Sequence, residues 1–268
     1  MSVFRDDILK GKTALVTGGG GDICGEIAET YSAHGANVVI TSRSQERLDT
    51  AVADMRERTG GNFLAVAGDV RSEEEVEAVV AQTVEEFGGI DILLNGAAGN
   101  FPAPIAALSA KGFKTVMEID VQGTFNMTKA CFPHLQSAAE KNGDASVTNI
   151  SATLHYTGTP YQAHVCSAKA AIDAFTKCTA AEWGILGIRS NAVAPGPIGD
   201  TEGMRRLAPT KMSVEEMTSI IPLRRFGTKK EIADSCLFLA SEGSLYTTGA
   251  ILVVDGGAWL QSMKMGDF

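Results

Sequence analysis

Thr13-Ala14-Leu15-Val16-Thr17-Gly18-Gly19-Gly20-Gly21-Asp22-Ile23-Cys24-Gly25 decides how this chain folds. A short apolar run enters a glycine cluster, and beyond it Ile23, Ile27, Ala28 and Tyr31 recur at helical spacing. The string reads as strand, tight turn, helix. Glycines at such a turn allow a sharp bend and let an anionic group approach the amides at the helix N-terminus. Six more apolar runs of strand length follow, at Val38–Thr41, Phe63–Ala67, Ile90–Leu94, Ser146–Ser151, Ile188–Ala194 and Ala250–Val254. Amphipathic stretches separate them. Ser72 before Glu75, Ser213 before Glu216 and Thr228 before Glu231 are capping-box pairs that mark helix starts. Strands apolar without alternation are buried on both faces, which requires a parallel sheet covered by helices on each side. The expected fold is α/β, a doubly wound parallel sheet of about seven strands, the Rossmann arrangement.

The 268 residues contain no linker, repeat or low-complexity tract, so 1–268 is read as a single domain. No apolar run approaches the ~18–20 residues that span a bilayer, and no membrane association is expected. The net charge of −9 comes without a basic cluster, which argues against nucleic acid as a partner. Five cysteines, odd in number and without C-x-x-C spacing, read as thiols in a reducing compartment. His155, His164 and Cys166 do not complete a metal set, so no metal is expected. The amino terminus does not resemble a signal peptide, and Gly266-Asp267-Phe268 is not an S-K-L type tripeptide. The expected compartment is the cytoplasm, or the peroxisome in a eukaryote. Gly199–Thr218, rich in charge and Met after a Pro-Gly-Pro turn, reads as a mobile cover over the cleft.

From Lys12 to Trp259 the chain resembles the short-chain dehydrogenase/reductase family, beginning with that family's T-G-x-x-x-G-x-G pattern at Thr17. The resemblance implies a nicotinamide dinucleotide at Gly18, Gly20, Asp22 and Ile23. Asp22 and Cys24 fall on the second and third family glycines, and a carboxylate near a pyrophosphate is unfavourable. The second strand ends Thr41-Ser42-Arg43-Ser44 without the acid that holds the ribose of NAD. Arg43, with Arg47 a turn later, suits a 2′-phosphate, so NADP (NADPH) is the expected cofactor; the plain alternative is an exposed arginine at a helix start. Asp69-Val70 resembles the adenine-contacting position. Asn95-Gly96-Ala97-Ala98-Gly99 resembles the N-N-A-G segment, with Asn95 and Ala97 beside the nucleotide. Pro195-Gly196-Pro197-Ile198 with Thr201 resembles the P-G-x-I-x-T segment near the nicotinamide.

The reaction end departs from the family. Its active site is Asn, Ser, Tyr and Lys, with Tyr four residues before Lys. Here Lys169 is present, but tyrosine falls on Val165, serine on Ala152 and asparagine on Asp120. Without the two hydroxyls a carbonyl oxygen cannot be polarised and protonated in the usual way. The blocks Asn95–Phe101, Phe113–Asp120, Ala194–Gly203 and Asp255–Trp259 resemble the 2,4-dienoyl-CoA reductases of the peroxisomal type. That resemblance implies NADPH-dependent reduction of a 2,4-dienoyl-CoA to a 3-enoyl-CoA in unsaturated fatty-acid β-oxidation, in a homotetramer. Lys169 and Asp120 are then the catalytic pair organising a water, with Lys169 also on the nicotinamide ribose. Arg71, Phe101, Ser109 and Arg206 match acyl-CoA-contacting positions; their plain alternatives are surface arginines, a core phenylalanine and a helix-capping serine. Tyr156, Tyr161 and His164 stand as alternative proton sources. Two other functions stay open: a short-chain oxidoreductase acting on another carbonyl or enone, and a non-catalytic module binding NADP or acyl-CoA.

Overall fold

The computed structural model of the chain describes residues 2–207 and 212–260. Seven strands form one sheet: β1 (Thr13–Thr17), β2 (Asn37–Ser42), β3 (Phe63–Ala67), β4 (Ile92–Asn95), β5 (Ala145–Ile150), β6 (Ile188–Pro195) and β7 (Ile251–Val254). Their order is β3-β2-β1-β4-β5-β6-β7 and every neighbouring pair is parallel. The helices are α1 (Asp22–Ala33), α2 (Gln45–Thr59), α3 (Glu73–Phe87), α4 (Ala110–Met117), α5 (Gly123–Asn142), α6 (Leu154–Thr157), α7 (Ala163–Trp183), α8 (Glu202–Leu207), α9 (Val214–Ser219) and α10 (Lys229–Ala240). All seven expected strands form. The chain leaves β1 toward one edge and returns through β4 toward the other. This switch point opens a crevice at the carboxyl ends of the strands, where ligands of doubly wound sheets bind.

Two apolar layers sandwich the sheet, because the strand side chains alternate between its two covered faces. One layer joins Ile27, Ala28 and Tyr31 of α1 to Ile232 and Leu237 of α10. The other joins Val76, Val79 and Val80 of α3 to Met127, Cys131 and Leu135 of α5. β1 and β6 are buried at every position; the polar Arg189 of β6 is buried by pairing with Asp144 at 2.7 Å.

Three local expectations shift. The fourth strand starts two residues late, at Ile92. The Asp91 side chain accepts from the Thr13 amide (2.8 Å) and from Asn142 Nδ2 (2.9 Å), tying this entry turn to both neighbours. Capping boxes form at Ser213/Glu216 and Thr228/Glu231. At Ser72 only half of one forms: the hydroxyl accepts from the Glu75 amide, but Glu75 turns to the Asp69 amide at 2.9 Å. Within Gly199–Thr218, α8 and α9 are short helices, while 208–211 lies outside the described residues. All five cysteines are free; Cys24, Cys131 and Cys236 are buried. No helix among the described residues is long and apolar enough to cross a membrane.

Candidate active site

The glycine turn between β1 and α1 is held from three sides. The Gly18 amide donates to the Thr41 carbonyl at 2.8 Å, and the Gly21 amide to the Gly18 carbonyl at 2.9 Å. The Thr17 hydroxyl accepts from the amides of Gly96 and Ala97 at 2.9 and 3.0 Å, locking the segment after β4 against the turn. Gly18 has φ +71°, and a Cβ there would lie 2.9 Å from the Gly96 carbonyl oxygen, so glycine is required. Gly20 has nothing closer than 3.7 Å to a Cβ, leaving open space beside the turn. The N-cap of α1 is Gly21, which makes no side-chain cap bond. Open space beside a helix start whose cap carries no side-chain acceptor fits a pyrophosphate. Ile23 is half-buried against the core.

Asp22 does not point into this cradle. Its Oδ2 accepts from the Glu202 amide at 2.6 Å and lies 3.9 Å from the Arg205 guanidinium. Cys24 takes the space that the missing glycine would have left. Its Sγ packs against Gly96, where a Cβ would approach the sulfur to 2.2 Å. Burial raises this thiol to about pH 12, so it is an inert packing group.

Arg43 and Arg47 are exposed beside the end of β2. Asp69 and Arg71, expected at the adenine and at the acyl-CoA respectively, meet each other. Arg71 Nε donates to Oδ1 at 3.0 Å and Nη2 to Oδ2 at 2.5 Å, and this fork holds the Asp69 carboxyl below its ordinary range. Val70 is buried, and its carbonyl accepts from Asn126 Nδ2 at 2.9 Å. The Asn95 side chain turns away from the cleft: Nδ2 donates to Asn149 Oδ1 (2.9 Å) and Thr128 Oγ1 (3.0 Å) inside the fold. Its Oδ1 is buried without a hydrogen-bond partner among the described residues. Ala97 lies beside the turn through its amide. Pro195 ends β6. Gly196 passes so close to Asp255 that a Cβ would come within 2.4 Å of that residue's Cβ. Ile198 is a core residue, and Thr201 caps α8 through Met204 N at 3.1 Å.

At the reaction end, α4 runs through a π-helical turn, Glu118–Gln122, into α5. Such wide turns recur at functional positions of helices, and this one carries Asp120 inward to full burial. Asp120 Oδ1 accepts from the Gly99 amide at 2.7 Å, and Oδ2 lies 3.2 Å from Lys169 Nζ. Oδ2 has no hydrogen bond of good geometry among the described residues, so this contact is an ion pair with the second lone pair still free. Lys169 Nζ also donates to the Ile150 carbonyl at 3.0 Å. The ammonium is thus fixed by the end of β5, by Asp120 and by α7.

Val165 is 3 % exposed and packs with Val116 and Ala168, flanked by Met117, Val121 and Leu154. The lost tyrosine has been replaced by core. The alternative donors are dispersed. Tyr161 is exposed, and Tyr156 stacks edge-on against Trp259, its hydroxyl raised by burial and by the carboxylates of Asp173 and Asp255. His164 is fully buried under the Phe101 ring, centroids 4.4 Å apart, and neither ring nitrogen is hydrogen-bonded among the described residues. Phe101 sits at the rim, while Ser109 caps α4 by accepting from the Gly112 amide at 3.1 Å. Arg206 is exposed on α8 and pairs with Glu202 at 3.3 Å.

One network escaped the sequence. Asp173 accepts from Ser151 Oγ at 2.5 Å and binds His155 Nε2 at 2.8 Å. The signal was its place four residues after Lys169, one turn along the same helix. The partners were not readable, since α6 brings His155 in from elsewhere. Among the described residues no three His, Cys, Asp or Glu side chains come together as a metal site.

A family model described as enoyl-(acyl carrier protein) reductase matches residues 21–258. The chain is 47 % identical over 260 residues to a peroxisomal 2,4-dienoyl-CoA reductase, (3E)-enoyl-CoA-producing, of Danio rerio, covering 97 % of this chain and 85 % of that one. It is 44 % identical over 268 residues to the protein of the same description from Arabidopsis thaliana, covering 98 % and 89 %. Among solved structures, a citronellol catabolism dehydrogenase of Pseudomonas aeruginosa superposes with a TM-score of 0.82 at 34 % identity, covering 96 % of this chain and 99 % of that one.

Proposed function

The chain belongs to the short-chain dehydrogenase/reductase family, and on that premise we propose that it reduces 2,4-dienoyl-CoA thioesters to 3-enoyl-CoA with NADPH. The observation that carries this reading is the buried Asp120–Lys169 pair beside a tyrosine position filled by Val165 and a serine position held by Ala152. A site without those hydroxyls is poorly equipped to protonate a carbonyl oxygen, yet keeps a cation and a carboxylate 3.2 Å apart. That combination suits a conjugated thioester. The dinucleotide supplies a hydride when bound. Charge then developing on the thioester oxygen needs electrostatic support without immediate protonation. Lys169, its ammonium held by the Ile150 carbonyl, provides positive charge. Asp120, fixed through Oδ1 by the Gly99 amide, keeps Oδ2 free beside that ammonium to orient a water that delivers a proton to carbon.

In the same reading Gly18, Gly20 and Ile23 line the pyrophosphate site, and Arg43 and Arg47 face the 2′-phosphate. Val70, Ala97, Pro195, Gly196, Ile198 and Thr201 border the rest of the dinucleotide. Phe101 and Arg206 contact the acyl-CoA. Arg71 reaches a CoA phosphate only by sharing its guanidinium with Asp69. The homotetramer belongs to this proposal and is supported by large apolar side chains left open to solvent, Ile185 and Tyr246 among them. So does the compartment: the peroxisome, as in the relatives' descriptions, in a cell that has one, and otherwise the cytoplasm. Gly266-Asp267-Phe268 lies outside the described residues.

The test is NADPH oxidation with a short-chain and a long-chain 2,4-dienoyl-CoA. Turnover that disappears in Lys169→Ala is expected. Tight NADPH binding with no turnover on either thioester would refute the reading, and turnover of CoA-free enones alone would move it to another substrate.

A further inference from the structure

Asp22 is the residue for which the chemistry above has no use, and it stands on the second glycine of the T-G-x-x-x-G-x-G pattern that the chain resembles. Its carboxylate leaves the helix it begins and crosses to a segment 180 residues later in the chain, accepting from the Glu202 amide at 2.6 Å. The Arg205 guanidinium adds a longer contact at 3.9 Å. α8 needs such a tie. It is six residues long, too short to persist by its own hydrogen bonds. Over 202–206, Glu202, Gly203, Arg205 and Arg206 are exposed and Met204 is only half-buried, so within that stretch little apolar burial fixes its position. Two side chains hold its first turn. Thr201 Oγ1, immediately before it, accepts from the Met204 amide at 3.1 Å, and Asp22 accepts from the Glu202 amide. The chain enters this turn through Asp200 at φ +55°, a left-handed conformation that aspartate tolerates.

We propose that Asp22 is a positioning residue that bolts α8 to the glycine turn and so sets Arg206 for the phosphates of an acyl-CoA. Glycine at position 22 has no group that could make this connection. The tie also resolves the electrostatic conflict at the cofactor end. The carboxylate is committed to an N–H donor and a guanidinium, which are cationic or partly positive, and is turned away from the place of the pyrophosphate. The substrate half of the inference rests on the proposed dienoyl-CoA reductase activity; the bolt itself does not.

Asp22→Ala and Asp22→Asn separate these elements. In Asp22→Ala, amide hydrogen exchange across 202–207 is expected to accelerate about fivefold to tenfold, the net worth of one charge-assisted hydrogen bond at a part-exposed site. The KM for a dienoyl-CoA rises about threefold or more while kcat stays within about twofold, since the reacting pair is untouched. Asp22→Asn keeps an acceptor for the Glu202 amide and recovers most of the protection. NADPH affinity, followed by fluorescence titration, does not rise in either variant. Unchanged exchange in Asp22→Ala, no recovery in Asp22→Asn, or NADPH binding about tenfold tighter in Asp22→Ala would each overturn the proposal. Should no dienoyl-CoA be turned over by the parent protein, the proposed activity fails, while exchange and NADPH titration still decide the role of Asp22.

Discussion

Replacing Asp120 by asparagine removes one buried charge and leaves the shape of the side chain almost intact. The Gly99 amide keeps its acceptor, so the loop after β4 stays anchored. What changes is the surroundings of Lys169. Its side chain is 8 % exposed and that of Asp120 is 0 % exposed, and after the substitution the ammonium keeps only the Ile150 carbonyl. An uncompensated charge at such a site costs about 3–5 kcal/mol. At about 2–4 °C per kcal/mol for a chain of this size, the thermal midpoint falls by about 6–20 °C. Lys169→Met strands the carboxylate instead and costs a similar amount. The double variant Asp120→Asn, Lys169→Met removes both charges and loses less than the two singles together, by about 2 kcal/mol or more. Urea unfolding of the four proteins at one protein concentration measures this, and NADPH oxidation with a dienoyl-CoA is abolished in all three variants. Single costs that add to within about 0.5 kcal/mol would mean that the two charges do not sense each other, and the reasoning for a coupled catalytic pair would fail.

Three further predictions follow from individual contacts. Val165→Tyr is expected to destabilise by about 1–3 kcal/mol through overpacking against Val116 and Ala168, and to create no ketone reduction; a measurable ketone reductase rate would show that this position faces the reacting atoms. Gly19→Ala places a Cβ 2.5 Å from that of the fully buried Ile40, so unfolding experiments should find a loss of about 1–3 kcal/mol. An unchanged urea midpoint would show that the turn has slack that the packing does not suggest. Glu231 is held at about pH 2, first by the Arg225 fork and then by the Thr228 amide, against an ordinary value of 4.5. A depressed carboxylate stabilises the fold fully above 4.5 and loses that contribution as pH falls toward 2. Because both side chains are substantially exposed, Glu231→Gln costs only about 1 kcal/mol at pH 7, and its stability curve should converge on the parent's across that acid window. A gap that persists at pH 2 would assign the cost to something other than the charge.

Much of the architecture could be read without coordinates. The seven apolar runs became the seven strands, and the Ile23/Ile27/Ala28/Tyr31 spacing became the buried face of α1. These signals are local: periodicity along ten residues records which side of a segment is kept from water. The residue types at Lys169, Val165 and Ala152 could be placed for a similar reason, because a fixed spacing along one helix and its preceding strand end defines those positions.

Pairings between distant segments were not readable. Asn95 turned into the interior toward Asn149 and Thr128. His155 met Asp173 through the placement of a four-residue helix. Asp22 looked like a misplaced charge at the glycine turn until α8 was seen beside it. The sequence by itself determined the succession of strands and helices along the chain, the glycine turn between β1 and α1, and which residue types stand at 120, 152, 165 and 169, since each depends on neighbours within a few turns of chain. Only the tertiary structure decided which donor each of these polar groups meets, because a hydrogen bond is fixed over about 3 Å in space, and no spacing along the chain encodes that distance between segments joined only through the sheet.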